Sequence, residues 1–321
     1  MMKVFVTGGA GYIGAHVVRH LEVSGYNAII IDDFRTSSID RVGDFAYENL
    51  PLENLDLLMK AFEKYKPGAV IHLAGFISVG ESVKDPAKYW ENNLGASSHL
   101  LTAVARFPIR KFIFSSTAAT YGDVLESPIT ERSPNKPTCP YGESKLAFEK
   151  TLYATARALQ FEATSFRYFN AAGCVPEWGV GEAHDPEEHL IPRIIEAIQK
   201  GKDMHVFGND YPTPDGTCVR DYIHVLDLAD IHVKALSHSN LESCQSYNVG
   251  TGKGTSVLEV IDAVSKELKV NCKILYGPRR AGDPASLIAD SSKLREKMNW
   301  QPQHSTIEEI VKSAVKWKIN R

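Results

Sequence analysis

Thr7-Gly8-Gly9-Ala10-Gly11-Tyr12-Ile13-Gly14 decides the fold, because of what stands on either side of it. Before it runs a short apolar stretch, residues 3–7; after it Ala15 to Ser24 has helical spacing that Gly25 closes, and residues 28–32 form a second apolar run. Strand, glycine turn, helix and strand make a βαβ unit. In that setting Gly8, Gly11 and Gly14 divide three tasks: a tight turn, close approach of backbone to a pyrophosphate, and close packing of helix on sheet. The helix start supplies amide donors and the positive end of a dipole for phosphates.

Asp32 ends the second strand, where an acid accepts hydrogen bonds from both hydroxyls of an adenosine ribose. That favours NAD over NADP. Arg35 is the opposing signal, since an arginine there pairs with a 2′-phosphate, but Asp32 and Asp33 together would repel that group. Asp33 by itself reads as a solvated loop acid.

Outward from this unit the alternation continues. Strands are predicted at 69–73, 111–116 and 163–168, with helices near 86–106 and 141–159. Apolar strands separated by helices imply an α/β fold, a Rossmann-type doubly wound parallel sheet covered on both faces. Beyond residue 170 prolines break the pattern, and a smaller mixed α/β substrate lobe is expected. The predicted domains are 1–170 for NAD binding and 171–321 for the substrate lobe. Segments near 219–250, such as 219–224 and 246–249, are expected to return to the sheet.

With 321 residues, 43% hydrophobic and 23% charged, the chain has enough apolar content for a large core. A formal net charge of -3 offers no basic footprint for nucleic acid or an anionic membrane. Cys139, Cys174, Cys218, Cys244 and Cys272 contain no C-x-x-C pair, so neither a disulfide framework nor a metal site is expected. The opening apolar run is too short for a signal peptide or a membrane span, which makes cytoplasmic location the expectation.

Tyr141-Gly142-Glu143-Ser144-Lys145 carries the chemistry. Residues four apart share a helix face, so Lys145 is expected to sit beside the Tyr141 phenol and favour its phenolate. Tyr141 can then act as a general base; an exposed Tyr/Lys pair on a surface helix is the plainer reading. The plainer reading of Thr117 is a strand-end hydroxyl satisfying local backbone.

The glycine turn, Thr117 and Tyr141-x-x-x-Lys145 resemble the extended short-chain dehydrogenase/reductase family. His72-Leu73-Ala74-Gly75, Val79-Gly80-Glu81-Ser82, Arg167-Tyr168-Phe169-Asn170, Gly208-Asn209-Asp210-Tyr211, Val219-Arg220-Asp221-Tyr222 and Arg279-Arg280-x-Gly282-Asp283 are similar to the UDP-glucose 4-epimerase branch of that family. The resemblance implies tightly held NAD, reduced and reoxidised within one turnover. Tyr141 would take the proton from the sugar 4-hydroxyl, with the Thr117 hydroxyl bonding the same sugar oxygen, and a 4-keto sugar would turn over in the pocket before reduction on its other face. It places cofactor contacts at Gly8, Gly11, Tyr12, Ile13, Gly14, Asp32, Asn49, Leu50, Leu73, Ala74, Gly75, Asn93, Ser115, Tyr141, Lys145 and Tyr168. Substrate contacts fall on Thr117, Asn170, His189, Leu190, Phe207, Arg220, Val257, Arg280, Asp283 and Leu287. A homodimer through the helices near 86–106 and 141–159 is also implied.

Departures narrow some of this. Asn49 stands where many relatives have Asp, Ile77 where some have Lys, and His189 where others have Asn; His189 is either a substrate donor or an ordinary polar residue. Leu287 lies between the bulky residue that excludes N-acetyl sugars in the family and the small one that admits them, so that choice stays open. Epimerases of UDP-arabinose, UDP-xylose and UDP-uronic acids use the same 4-position chemistry and also stay open. A 4,6-dehydratase needs an acid and a base after the hydroxyl residue, where this chain has Ala118-Ala119. A non-catalytic NAD-binding sensor would have no use for the whole set.

Overall fold

The computed structural model describes residues 1–321 apart from 125, 184–185, 239–243, 281–282 and 320–321. Gly282 of the arginine motif lies outside the described residues. Two compact units are present: residues 1–123, 131–168 and 229–248 form the first, and 124–130, 169–228 and 249–321 the second.

The first unit is built on β1 (Lys3–Thr7), β2 (Asn27–Asp32), β3 (Ala46–Asn49), β4 (Ala69–His72), β5 (Lys111–Thr117), β6 (Glu162–Tyr168) and β7 (Cys244–Val249), in the spatial order β7-β6-β5-β4-β1-β2-β3. β1 to β6 pair in parallel, with Thr7 opposite both Ile31 and His72, Asp32 opposite Asn49, and Thr117 opposite Tyr168. Strand order therefore reverses between β1 and β4. In an open parallel sheet that switch point, at the carboxyl ends of the strands, is where a crevice forms.

Helices α1 (Tyr12–Val23), α2 (Leu55–Tyr65), α3 (Ser97–Arg106) and α4 (Pro140–Leu159) flank the sheet. Phe5, Phe62, Leu100, Phe112, Phe114, Phe148 and Leu152 are buried in one apolar cluster of this unit. β3 and α2 were not anticipated from the sequence: Ala46-Tyr47-Glu48-Asn49 is a largely exposed strand without an apolar run. α2 is clearly amphipathic, with Asn54 capping it by accepting from Leu57 N. The predicted helix near 86–106 is three segments in succession, Pro86–Tyr89, a π-helical Trp90–Ala96, and α3. Such i→i+5 turns are rare and recur at functional sites.

Of the two later segments expected in the sheet, 246–249 is part of β7 at its edge. Residues 219–224 are not in it. Val219–Arg220 pairs with Thr255–Ser256 and Ser286–Leu287, and Tyr222–His224 pairs with Asn170–Ala172, all within the second unit. Strands of two and three residues are too short to compete for a place in a long parallel sheet. The second unit has its own core, formed by Ile191, Ile194, Ile195, Val260, Ile261, Val264, Ile310 and Val311 of three helices together with Met204 and Val206.

Candidate active site

The glycine turn has the geometry its sequence demands. Gly8 adopts φ +68, and a Cβ there would stand 2.7 Å from Ala74 N; at Gly14 a Cβ would stand 2.0 Å from Gly8 O. Both positions exclude any side chain. The helix they open has no side-chain cap at Gly11 and no acid in its first turn, so it fits a bound anion. Asp32, at the end of β2, accepts from Ala10 N (3.0 Å) through Oδ2 and from Phe34 N (3.0 Å) and Ser37 Oγ (2.9 Å) through Oδ1. Oδ1 thus accepts two bonds and Oδ2 one, which leaves Oδ2 an acceptor direction for a ribose hydroxyl. Asn49 is exposed and Leu50 buried at the neighbouring strand end.

Leu73, Ala74 and Gly75 follow β4. Leu73 N bonds Thr7 O (3.1 Å), which places the segment beside the glycine turn. Below it lies a buried chain that sequence inspection missed: Thr7 Oγ1 to His72 Nδ1 (2.6 Å) and His72 Nε2 to Ser97 Oγ (2.8 Å). Burial, reinforced by the charge of Lys145, drives His72 down to about 3, so the ring is neutral. Asn93, in the π-helical stretch, accepts from Phe76 N (2.8 Å) and donates to Phe76 O (3.0 Å) and to Ser144 Oγ (3.3 Å). It ties Phe76, directly after the Leu73–Gly75 segment, to α4 one residue before Lys145.

On α4, Cys139 is the N-cap and Pro140 the first helical residue, so Tyr141 and Lys145 fall within the first two turns. The helix is anchored to β6 by a buried bidentate pair, Arg167 Nε to Glu149 Oε1 (3.0 Å) and Nη2 to Oε2 (2.6 Å). Lys145 is 3% exposed; Nζ donates to Ser115 O (3.0 Å) and lies 5.0 Å from the centroid of the Phe114 ring. Burial lowers Lys145 to about 8. Thr117 Oγ1 accepts from Ala119 N (3.1 Å), the local bond of the plainer reading, and the same hydroxyl favours ionisation of the Tyr141 phenol. The two readings of Thr117 coexist, because a hydroxyl both donates and accepts.

One expectation is corrected here. Lys145 was expected to pull the Tyr141 phenol down, but burial pushes it up to about 12 and the Thr117 hydroxyl offsets only part of that. Desolvation penalises phenolate more than the surrounding dipoles favour it. Tyr168, at the end of β6, is also raised by burial and shares a hydrogen bond with His232.

The second unit gathers most of the remaining predicted residues. Leu287 is opposite Arg220 in the small sheet. Arg220 donates to Val219 O (2.8 Å) and Pro284 O (2.9 Å) and pairs with Asp283. Asn170 Nδ2 donates to Asp221 O (3.1 Å), and the buried Asp221 carboxylate accepts from Thr251 N, Gly252 N and Ala289 N. Asp221 was read only as part of a motif; its burial, invisible in sequence, makes it the fastener of this region. The Arg280 guanidinium sits 4.1 Å from the centroid of Phe207. Leu190 and Val257 each begin a helix and lean on the same apolar core. His189 is exposed at the N-cap of the Leu190 helix and is engaged by Glu182. Glu182, Glu187 and His189 bring ligand-type atoms within 4.8 Å of one another, a grouping the sequence did not suggest. It is already internally compensated, with Lys318 3.9 Å from Glu187. All five cysteines are free thiols.

A glycine turn at the switch point, an acid at the end of β2 and a Tyr/Lys/hydroxyl group at the ends of β5 and α4 define a nicotinamide-dinucleotide enzyme of the short-chain dehydrogenase/reductase type. Residues 4–250 match the model of the NAD dependent epimerase/dehydratase family, and the chain belongs to that family. A UDP-glucose 4-epimerase of Lacticaseibacillus casei is 41% identical over 99% of this chain and 97% of its own length. The crystal structure of UDP-glucose 4-epimerase from Brucella ovis in complex with NAD superposes with a TM-score of 0.95 at 39% identity, covering 98% of each chain. The UDP-Glc/GlcNAc 4-epimerase of Campylobacter jejuni superposes with a TM-score of 0.88 at 37% identity over the whole of both chains. No helix among the described residues is long and apolar enough to cross a membrane.

Proposed function

We propose that this protein interconverts UDP-glucose and UDP-galactose by reversible 4-epimerisation, with UDP-GlcNAc/UDP-GalNAc as a further substrate pair. The observation that carries the reading is the Thr117 hydroxyl at the end of β5 together with Tyr141 and the buried Lys145 in the first turns of α4, with Lys145 bonded to Ser115 O of the same strand. Near-full-length identity to UDP-glucose 4-epimerases supports it.

NAD, when bound, supplies a reversible hydride acceptor for C4 of the sugar, so that a 4-keto sugar is formed and reduced again. The glycine turn would hold its pyrophosphate, Asp32 its adenosine ribose, and Lys145 with Ser115 and the Leu73–Gly75 segment its nicotinamide side. Tyr141 takes the 4-hydroxyl proton and later returns it; Thr117 steadies the same oxygen. A phenol at about 12 is protonated near neutrality. Phenolate formation therefore depends on positive charge in the pocket, which Lys145 contributes. Arg220, Arg280 and Asn170 would meet the diphosphate, whose burial without cationic or amide donors would be severely unfavourable. Asp283 would bond the uridine ribose, with Phe207, Leu190 and Val257 lining the apolar side of the pocket and His189 at its margin. We read the working state as a cytoplasmic homodimer paired through residues 86–106 and 141–159.

Incubation with UDP-galactose, UDP-N-acetylgalactosamine, UDP-arabinose and UDP-galacturonate, without added reductant, tests the reading. The expected product is UDP-glucose from UDP-galactose. Turnover confined to the pentose or uronate would move the assignment to those sugars, and bound cofactor with no turnover would reduce the protein to a sensor.

A further inference from the structure

We propose that Asp33 and Glu53 set cofactor selectivity by occupying Arg35, the residue otherwise placed to accept a 2′-phosphate. The inference rests on the reading that Asp32 meets the adenosine ribose. Residues 32–38 contain a single cation, Arg35, and it is spoken for. Asp33 Oδ1 accepts from Arg35 N (3.0 Å) and Oδ2 from Arg35 Nε (2.6 Å), while Glu53 Oε1 accepts from Nη2 (2.7 Å). Glu53 comes from the segment after β3, so the guanidinium is gripped from two sides.

The backbone enforces this arrangement. Phe34 takes a left-handed conformation (φ 59), and its amide bonds Asp32 Oδ1 (3.0 Å), turning the chain directly after the ribose acid. Its ring rests edge-on against Tyr47 of β3, with centroids 6.0 Å apart. Arg35 is thereby delivered next to the strand end where an arginine recognises NADP in other dinucleotide folds. Here two carboxylates, Asp33 and Glu53, hold one guanidinium, and Asp32 adds a third at the adjoining strand end. A 2′-phosphate would add negative charge to a locality already net negative, and would have to displace two carboxylates to reach Arg35.

Stability does not account for the cluster. Arg35 and Glu53 are 45% and 49% exposed, and ion pairs that open to water contribute little to folding. Asp33 is 27% exposed. The cluster acts on what approaches it. This changes the reading of Asp33 from a solvated loop acid to one arm of a selectivity device, and it adds Glu53, which no motif marked.

The test measures NAD+ and NADP+ affinity by titration calorimetry after cofactor removal, together with the identity of the dinucleotide that co-purifies. In Asp33→Asn/Glu53→Gln the NADP+/NAD+ ratio of dissociation constants should fall about tenfold at low salt, and the shift should shrink as ionic strength rises. Adding Arg35→Ala should restore the wild-type ratio. No fall in the double variant overturns the proposal; a fall that survives Arg35→Ala overturns the part given to Arg35. Asp32→Asn separates the underlying reading: unchanged NAD+ affinity there removes the ribose from this strand end and the proposal with it.

Discussion

The Lys145 ammonium donates to the main-chain oxygen of Ser115 at 3.0 Å, inside a pocket that leaves it 3% exposed. One hydrogen bond to a carbonyl does not replace the hydration of a cation, which is why burial lowers Lys145 to about 8. In the unfolded chain it holds its proton to about 10.5. Between those values the unfolded state binds more protons, so this group makes stability rise with pH; below pH 8 its burial cost is present in full. Lys145→Met should therefore stabilise the cofactor-free protein at pH 7 by about 1–3 kcal/mol, less at pH 10, while lowering turnover. Denaturant unfolding at the two pH values measures this. A destabilised variant would mean that the Ser115 bond outweighs desolvation.

Tyr141→Phe removes the phenol oxygen proposed to take the 4-hydroxyl proton and return it. Turnover should fall roughly a hundredfold to ten-thousandfold, the range for loss of a general base. Bound NAD, read by absorbance after denaturation, should be unchanged. Near-normal turnover would take the proton transfer away from Tyr141.

The parts that proved legible were those where local pattern and tertiary role coincide. Gly8 and Gly14 are forced by contacts with Ala74 N and Gly8 O, and no other residue fits. The strands with apolar runs were readable because a sheet covered on both faces admits little else. β3 was not, because it is an exposed edge strand whose Tyr47 and Asn49 carry no apolar signal. His72–Thr7–Ser97, Glu149–Arg167 and Arg35–Asp33–Glu53 escaped for another reason. Each joins residues far apart in the chain, and charge or hydroxyl chemistry has no periodicity to betray its partner.

His72 is held neutral among Phe112, Phe114 and Phe148. Its folded value of about 3 lies well below the ordinary 6.5, so as pH falls through 6.5 the unfolded state binds the extra proton. Stability should decline by about 1.4 kcal/mol per pH unit from this group in that window. His224, lowered to about 4 mainly by burial, adds a similar slope. In His72→Phe the acid slope should be shallower by one proton, although Thr7 and Ser97 lose a partner and stability at pH 7 drops by about 1–3 kcal/mol. Urea unfolding at pH 7, 6 and 5 measures both effects. An unaltered slope would show that His72 is protonated in the folded state.

Leu287 lies opposite Arg220 in a parallel pair, and Arg220 is the arginine proposed to meet the diphosphate, so on that reading Leu287 stands one strand away from the phosphate. A side chain there can restrict the sugar by volume alone. Leucine leaves room that a tyrosine would fill, and an N-acetyl group at C2 is larger than a hydroxyl. Leu287→Tyr should lower kcat/KM for UDP-N-acetylgalactosamine by at least tenfold, about 1.4 kcal/mol, because an overpacked pocket costs of that order or more. UDP-galactose should change by less than threefold, since its smaller C2 substituent does not reach the added ring. The ratio of the two kcat/KM values is the readout, as it cancels any general loss of activity. Equal losses on both sugars would show that Leu287 shapes the fold of the small sheet, and an unchanged ratio with full activity would move the gate to another residue.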